Sequence, residues 1–204
     1  MNRHAMTNPF RILTPFFLPL ALLGCGGPVS QPAERPPLEG AAIGGPFTLV
    51  DKTGHQVRWS DFAGKYRIVY FGYSFCPDAC PLDLQKVMQG FSLFEKAHPG
   101  LARQVQPIFI TIDPARDTPK VVGEFAAAFS PRLLGLTGTQ AQTDAAAKAF
   151  AVYHARGKDT PGGGYLMDHS RTAYLMGRKG EPITVLPIDK TPQAVAAELA
   201  KWVR

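Results

Sequence analysis

Cysteine is scarce in this chain, with three among 204 residues, which excludes a small disulfide-stapled scaffold. Long apolar runs are missing too. None reaches the roughly 18 to 20 residues that a membrane-spanning helix needs. No block of lysines or arginines stands out: the net charge is +6, but the basic residues are scattered among 16 acids, so no nucleic-acid partner is expected. Glycine (20) and proline (19) are plentiful without any G-X-Y period, which excludes collagen. What remains is a globular composition, 45% hydrophobic and 19% charged, of a length that suits one domain.

The chain opens as an export signal. Arg3, His4 and Arg11 precede the apolar stretch Ile12 to Leu23, which Pro15 and Pro19 interrupt, and Leu22-Leu23-Gly24-Cys25 closes it. A cysteine directly after Leu-Leu-Gly resembles the lipobox of bacterial lipoproteins. That resemblance makes residues 1–24 a signal peptide and Cys25 the lipidated first residue of the mature protein; an ordinary signal anchor with an incidental cysteine is the alternative. Loss of Arg3 and Arg11 with the signal lowers the net charge from +6 to +4. Residues 25–42 hold Pro28, Pro32, Pro36 and Pro37 with little apolar content, so they are expected to be a lipidated, Pro/Gly-rich tether. Residues 43–204 are expected to form a single domain.

Within that domain, Pro46–Val50 and Gln56–Trp59 flank Asp51-Lys-Thr-Gly54 as a hairpin. Arg67–Tyr73 is nearly all apolar, as a strand buried on both faces should be. Leu84, Val87, Met88, Phe91 and Phe94 recur at helical spacing up to about Ala97. Val105–Ile112 is a second buried strand, and Thr118-Pro119 opens a helix that puts Val121, Val122, Phe125 and Phe129 on one face. Leu133–Leu136 is a short strand, Thr139 caps a helix to Phe150, and Gly157–Gly164 is expected to be a glycine-rich loop. Thr172–Met176 and Pro182–Leu186 form a hairpin around Arg178-Lys-Gly180, and Thr191-Pro192 starts a last helix with Val195, Leu199 and Trp202 inward. This order predicts an α/β, thioredoxin-like fold: a central mixed sheet flanked by helices, with an N-terminal β-hairpin extension.

Chemistry concentrates at Phe75-Cys76-Pro-Asp-Ala-Cys80-Pro81, where a strand hands over to a helix. Helix amino ends stabilise thiolate. A structural disulfide across so tight a loop would contribute only about 2 kcal/mol, against about 4 to 5 for a long loop. Reactive or metal-binding thiols are the better reading, and the spacing is one residue wider than the Cys-x-x-Cys of disulfide oxidoreductases. A metal needs a third ligand. His55 and His98 sit in solvated positions, and His154 suits packing. His169, in Met167-Asp-His-Ser170, lies where thioredoxin-like folds face their cysteine pair. Asp78 and Asp168 are candidates to tune the site from behind the ligands, or else solvated turn aspartates. Asp113, Arg116 and Asp117 flank Pro114 in a turn and suit a structural hydrogen-bonding role.

Phe71-Gly-Tyr-Ser-Phe-Cys-Pro-Asp-Ala-Cys-Pro81, Thr111-Ile-Asp-Pro-Ala-Arg-Asp-Thr-Pro119 and Asp168-His-Ser170 resemble the signatures of the Sco/SenC family. Gly44-Gly-Pro-Phe-Thr-Leu-Val-Asp51 and Leu136-Thr-Gly-Thr139 are similar to that family as well. The resemblance implies a membrane-tethered, thioredoxin-like copper protein that helps to assemble cytochrome c oxidase. Cys76, Cys80 and His169 then fall at the copper ligands, and the domain lies outside the cytoplasm, on the periplasmic side if the cell is Gram-negative. Two thiolates select Cu(I), and an imidazole beside them also accommodates Cu(II); zinc would want a fourth ligand that is not evident. Two roles follow. One delivers copper to the oxidase subunit that carries the CuA centre. The other keeps that subunit's cysteines reduced, with the Cys76 and Cys80 thiols as electron donors; with copper absent, the pair is expected to form a disulfide that an exported thioredoxin-like partner reduces. The partners implied are that subunit, other exported copper chaperones and thioredoxin-like reductants.

Overall fold

The computed structural model describes residues 34–204. The leader and Cys25, on which the export and lipidation expectations rest, lie outside the described residues. Arg35–Arg204 forms one compact unit. It therefore starts earlier than the expected boundary at Ile43. Leu38, the one large apolar residue in 35–42, packs against the core, and its N–H donates to the Ile183 carbonyl at 3.0 Å. A segment with such an anchor is held rather than extended.

Strands β1 (Thr48–Val50) and β2 (Gln56–Arg58) pair antiparallel. The Asp51 carboxylate makes the turn between them by accepting the N–H groups of Thr53 at 2.8 Å and His55 at 3.1 Å. The main sheet starts with β3 (Tyr66–Gly72), every residue of which is buried. Helix α1 (Ala79–Ala97) and the short α2 (Pro99–Ala102) lead into β4 (Val105–Thr111). Thr118 then caps α3 (Pro119–Phe129) through the Val121 N–H, and β5 (Leu134–Leu136) follows. Thr139 and Gln142 form a capping box at α4 (Gln140–Ala149). Next come β6 (His154–Asp159), β7 (Tyr165–His169), β8 (Ala173–Met176), β9 (Pro182–Val185) and α5 (Pro192–Trp202), the last capped by Thr191.

The five-stranded sheet has the order β5-β4-β3-β8-β9. Strands β3, β4 and β5 run parallel, and β8 and β9 antiparallel. Alternation along β3 serves the two faces separately. Tyr70 reaches Asp83 on α1, whereas Phe71 packs on Phe150 beyond α4 with ring centroids 5.4 Å apart. Three parallel strands, an antiparallel pair and flanking helices make the fold thioredoxin-like, as the element order predicts.

One stretch departs from expectation. Gly157, Lys158 and Asp159, the first part of the expected loop, are strand. Strand β6 pairs with β7 from His154↔His169 onward as a separate two-stranded sheet. The turn is confined to residues 160–164, closed by the Thr160 N–H on the Gly164 carbonyl at 2.8 Å.

Candidate metal centre

Strand β3 carries the chain through the core and releases it at the cysteine loop just before α1. Asp78 holds the N-cap position of that helix yet makes no side-chain cap. Cys76 supplies one instead: its sulfur accepts the Cys80 N–H at 3.3 Å, the role a capping oxygen normally takes. Cys80 is fully buried against β3. Gly72 makes that approach possible, because a Cβ there would stand 3.1 Å from the Cys80 sulfur and from the rings of Tyr70 and Phe109. Asp117 pins the loop from below. Its carboxylate accepts the Ser74 N–H at 3.0 Å, the Ser74 hydroxyl, and the Thr111 hydroxyl at 2.6 Å.

His169 arrives from the end of β7. Its Nε2 lies 3.1 Å from Cys80 Sγ, and its Nδ1 lies 2.9 Å from the Ser170 carbonyl. A carbonyl only accepts, so the ring proton belongs on Nδ1 and the Nε2 lone pair faces sulfur. Tyr70 and Tyr73 flank the imidazole edge-on, with centroids 6.4 and 6.1 Å away. Beneath them Asp83, fully buried on α1, accepts the Tyr70 hydroxyl at 2.9 Å and both Arg171 donors at 2.8 and 2.6 Å.

The two thiols are unlike. Cys76 is held well below the usual thiol range, chiefly by its hydrogen bond with the Cys80 side chain, then by the N–H groups of Cys80 and Asp78. Cys80 is pushed far up, first because it donates to Cys76 and then by burial. Tyr73 rises to about 12, mainly through burial. Of the two, Cys76 is thus the one favoured to ionise and Cys80 the one favoured to keep its proton. Both cysteines are free. The three side chains are in hydrogen-bonding contact, and among the described residues no three His, Cys, Asp or Glu side chains are already closed into a metal-holding cluster. An open cleft of about 500 Å³, lined by Cys76, Asp78, Tyr153, Met167 and His169 among others, gives access.

Cys76, Cys80 and His169 are thus brought together. The two candidate aspartates are not joined to them by a side-chain bond. Asp78 contributes its backbone N–H to Cys76, and Asp168 is exposed next to His169 on a strand whose successive side chains alternate in direction. Ser170 orients the imidazole in their place. The other histidines lie elsewhere: His55 contacts Thr53, His98 stacks on Phe94, and His154 lies 3.3 Å from Asp144. Asp83 and Arg171 escape a reading from spacing alone. Their one readable signal is an acid at position 83, three residues from Cys80 and inside the apolar stripe of α1.

The SCO1/SenC family model matches residues 35–204. The chain is 44% identical over 158 residues to Protein SenC of Rhodobacter capsulatus, covering 76% of this chain and 68% of that one. It is 35% identical over 162 residues to the human mitochondrial SCO1 homolog, covering 79% of this chain but 53% of that one. Among solved structures, Bradyrhizobium japonicum ScoI with copper bound is similar at 36% identity and TM-score 0.70, covering 78% of this chain and 99% of that one. BsSco, a member of the Sco family of cytochrome c oxidase assembly proteins, matches at 23% identity and TM-score 0.61, covering 85% of this chain and 100% of its own, and shows the shared fold. No helix among the described residues is long and apolar enough to cross a membrane. With the signatures, the fold and the thiol–imidazole site in place, the chain belongs to the SCO1/SenC family.

Proposed function

We propose that this protein binds copper through Cys76, Cys80 and His169 and delivers it to cytochrome c oxidase during assembly, at the subunit that carries the CuA centre. The observation that carries the reading is the 3.1 Å contact between Cys80 Sγ and His169 Nε2, with the Cys76 sulfur beside it. Two sulfurs and one imidazole nitrogen form a soft donor set that suits Cu(I), and the nitrogen extends it to Cu(II). Cys76 is the thiol favoured to ionise, Cys80 would release its proton on ligation, and the Ser170 carbonyl keeps the Nε2 lone pair free. The rest of the reading places the domain outside the cytoplasm, tethered by lipid on Cys25. Replacing Cys25 with Ser should release it into the soluble exported fraction, and continued membrane attachment would count against the anchor.

The decisive experiment is a copper titration of the reduced protein. His169→Ala should keep the fold and two titratable thiols while losing stable Cu(II) binding and oxidase assembly. Cys76→Ser and Cys80→Ser should lose both oxidation states. Full oxidase activity of His169→Ala at limiting copper would sink the delivery reading.

A thiol–disulfide reductase is the second reading, favoured by the asymmetry of the pair. The half-exposed Cys76 thiolate would attack a partner disulfide and expel one partner thiolate. The buried Cys80, losing its proton, would then attack Cys76 and release the second. The partner gains two electrons and this chain ends as the Cys76–Cys80 disulfide. That chemistry does not require a nitrogen ligand, so dependence on His169 separates the two readings.

A further inference from the structure

We infer that Arg116 is a positioning residue for His169: its guanidinium ties the start of β7 to the cysteine loop, and that tie keeps the imidazole against Cys80. Arg116 belongs to neither piece; it sits in the turn between β4 and α3. Its Nε donates to the Asp113 carboxylate at 2.5 Å and its Nη1 to the Tyr165 carbonyl at 2.8 Å. The guanidinium carbon lies 3.6 Å from the Tyr165 ring centroid, 5.0 Å from that of Phe75 and 5.6 Å from that of Tyr73. The Tyr165 hydroxyl closes the circuit by donating to Asp113 at 2.7 Å. One side chain thus reaches Phe75 just before Cys76, Tyr73 just past the end of β3, and Tyr165, the first residue of β7.

The hairpin needs such a tie. Strands β6 and β7 pair only with each other, apart from the main sheet, and a lone two-stranded ribbon is marginal in water. Tyr165 and His169 are four residues apart on one strand, so they share a face, and fixing one aims the other. Beyond His169 the chain is held again, by Arg171 on buried Asp83. His169 therefore hangs between two arginine ties. Lysine at 116 would keep a charge for Asp113 but lose the planar fork and the stack.

The test uses the full chain, metal-free, and follows amide hydrogen exchange together with the 15N signal of the His169 ring. In Arg116→Lys, amides of residues 165–169 should exchange about tenfold faster, the scale of a local opening, while β3 and α1 stay as in the parent. The His169 Nε2 signal should shift toward that of Cys80→Ser, where the sulfur contact is gone. Tyr165→Phe, which deletes one hydroxyl, should move both readouts the same way by less. Unchanged β7 exchange, an unchanged His169 signal, or a rise spread equally over β3 and α1 would each overturn the assignment. The final readout rests on the copper reading: Arg116→Lys should weaken Cu(II) binding and spare Cu(I). A parent protein that binds no copper would end that reading and leave the metal-free comparison to decide Arg116.

Discussion

The cysteines and the histidine reach one point from two pieces of structure built in opposite ways. The β3–α1 junction rests on the core: every residue of β3 is buried, Cys80 is fully enclosed, and Gly72 lets the helix lie on the strand. The β6–β7 hairpin is made of half-buried and exposed residues, joins no other sheet, and is held by side-chain ties. Burial makes the first piece part of the global fold, whereas the second can open by breaking a few polar contacts. Cys80 is therefore held by the core, whereas His169 sits on a piece that can move away from it. Under the copper reading proposed above, that division would let one donor leave without unfolding the site.

The sharpest way to break the comparison is to cut into each piece in turn. Phe71, fully buried in β3 and packed on Phe150, should cost about 3–5 kcal/mol when replaced by Ala, through lost burial and a cavity. Leu166 on β7 is 38% exposed, and Leu166→Ala should change stability by no more than about 0.5 kcal/mol. Urea unfolding of the two variants measures both. Similar losses would mean that the hairpin is part of the global fold after all.

A smaller effect belongs at the seam, where Asp83 joins α1 to the segment after His169. Asp83→Ala strands the Tyr70 hydroxyl in the interior, at a cost of about 1–3 kcal/mol. Adding Tyr70→Phe should recover part of that loss, since removing both partners removes the unmet bond. No recovery in the double variant, read by the same unfolding curves, would show that the pair with exposed Arg171 matters more than the buried hydroxyl.

The two pieces also differ in how far they can be read from sequence. Arg67–Tyr73 announces a buried strand because apolar residues fill it without a break. The stripe from Leu84 to Phe94 announces α1, although that helix begins earlier, at Ala79, where Cys76 rather than Asp78 caps it. The cysteine pair and His169 were legible through composition, position and family resemblance. The hairpin was not: His154-Ala-Arg-Gly-Lys-Asp159 has no strand alternation, and only pairing with β7 makes it a strand. The roles of Asp83, Arg116 and Arg171 depend on partners 88, 49 and 88 positions away, which no local pattern encodes.

The smallest predicted effect concerns pH and the loop that carries Cys76. Asp117 is fully buried, and burial raises its pKa above the usual carboxylate value of 3.8, against the opposing hydrogen bonds from Ser74 and Thr111. A carboxyl whose folded pKa exceeds its unfolded one holds its proton longer when folded. Its contribution is complete below about 3.8 and is lost as pH rises through the folded value, because the native state must then ionise a buried group. Asp117→Asn keeps the shape and an acceptor oxygen but cannot titrate. The variant's stability should thus fall less than the parent's as pH rises through that window, a difference that urea midpoints at several pH values will show. Asn has one acceptor oxygen where Asp has two, so Ser74 loses a partner and Cys76 should be alkylated slightly faster in the variant. Parallel stability profiles for the two proteins would mean that the three donors around Asp117 compensate its burial completely. The loop would then be held by hydrogen bonds to an ionised carboxylate.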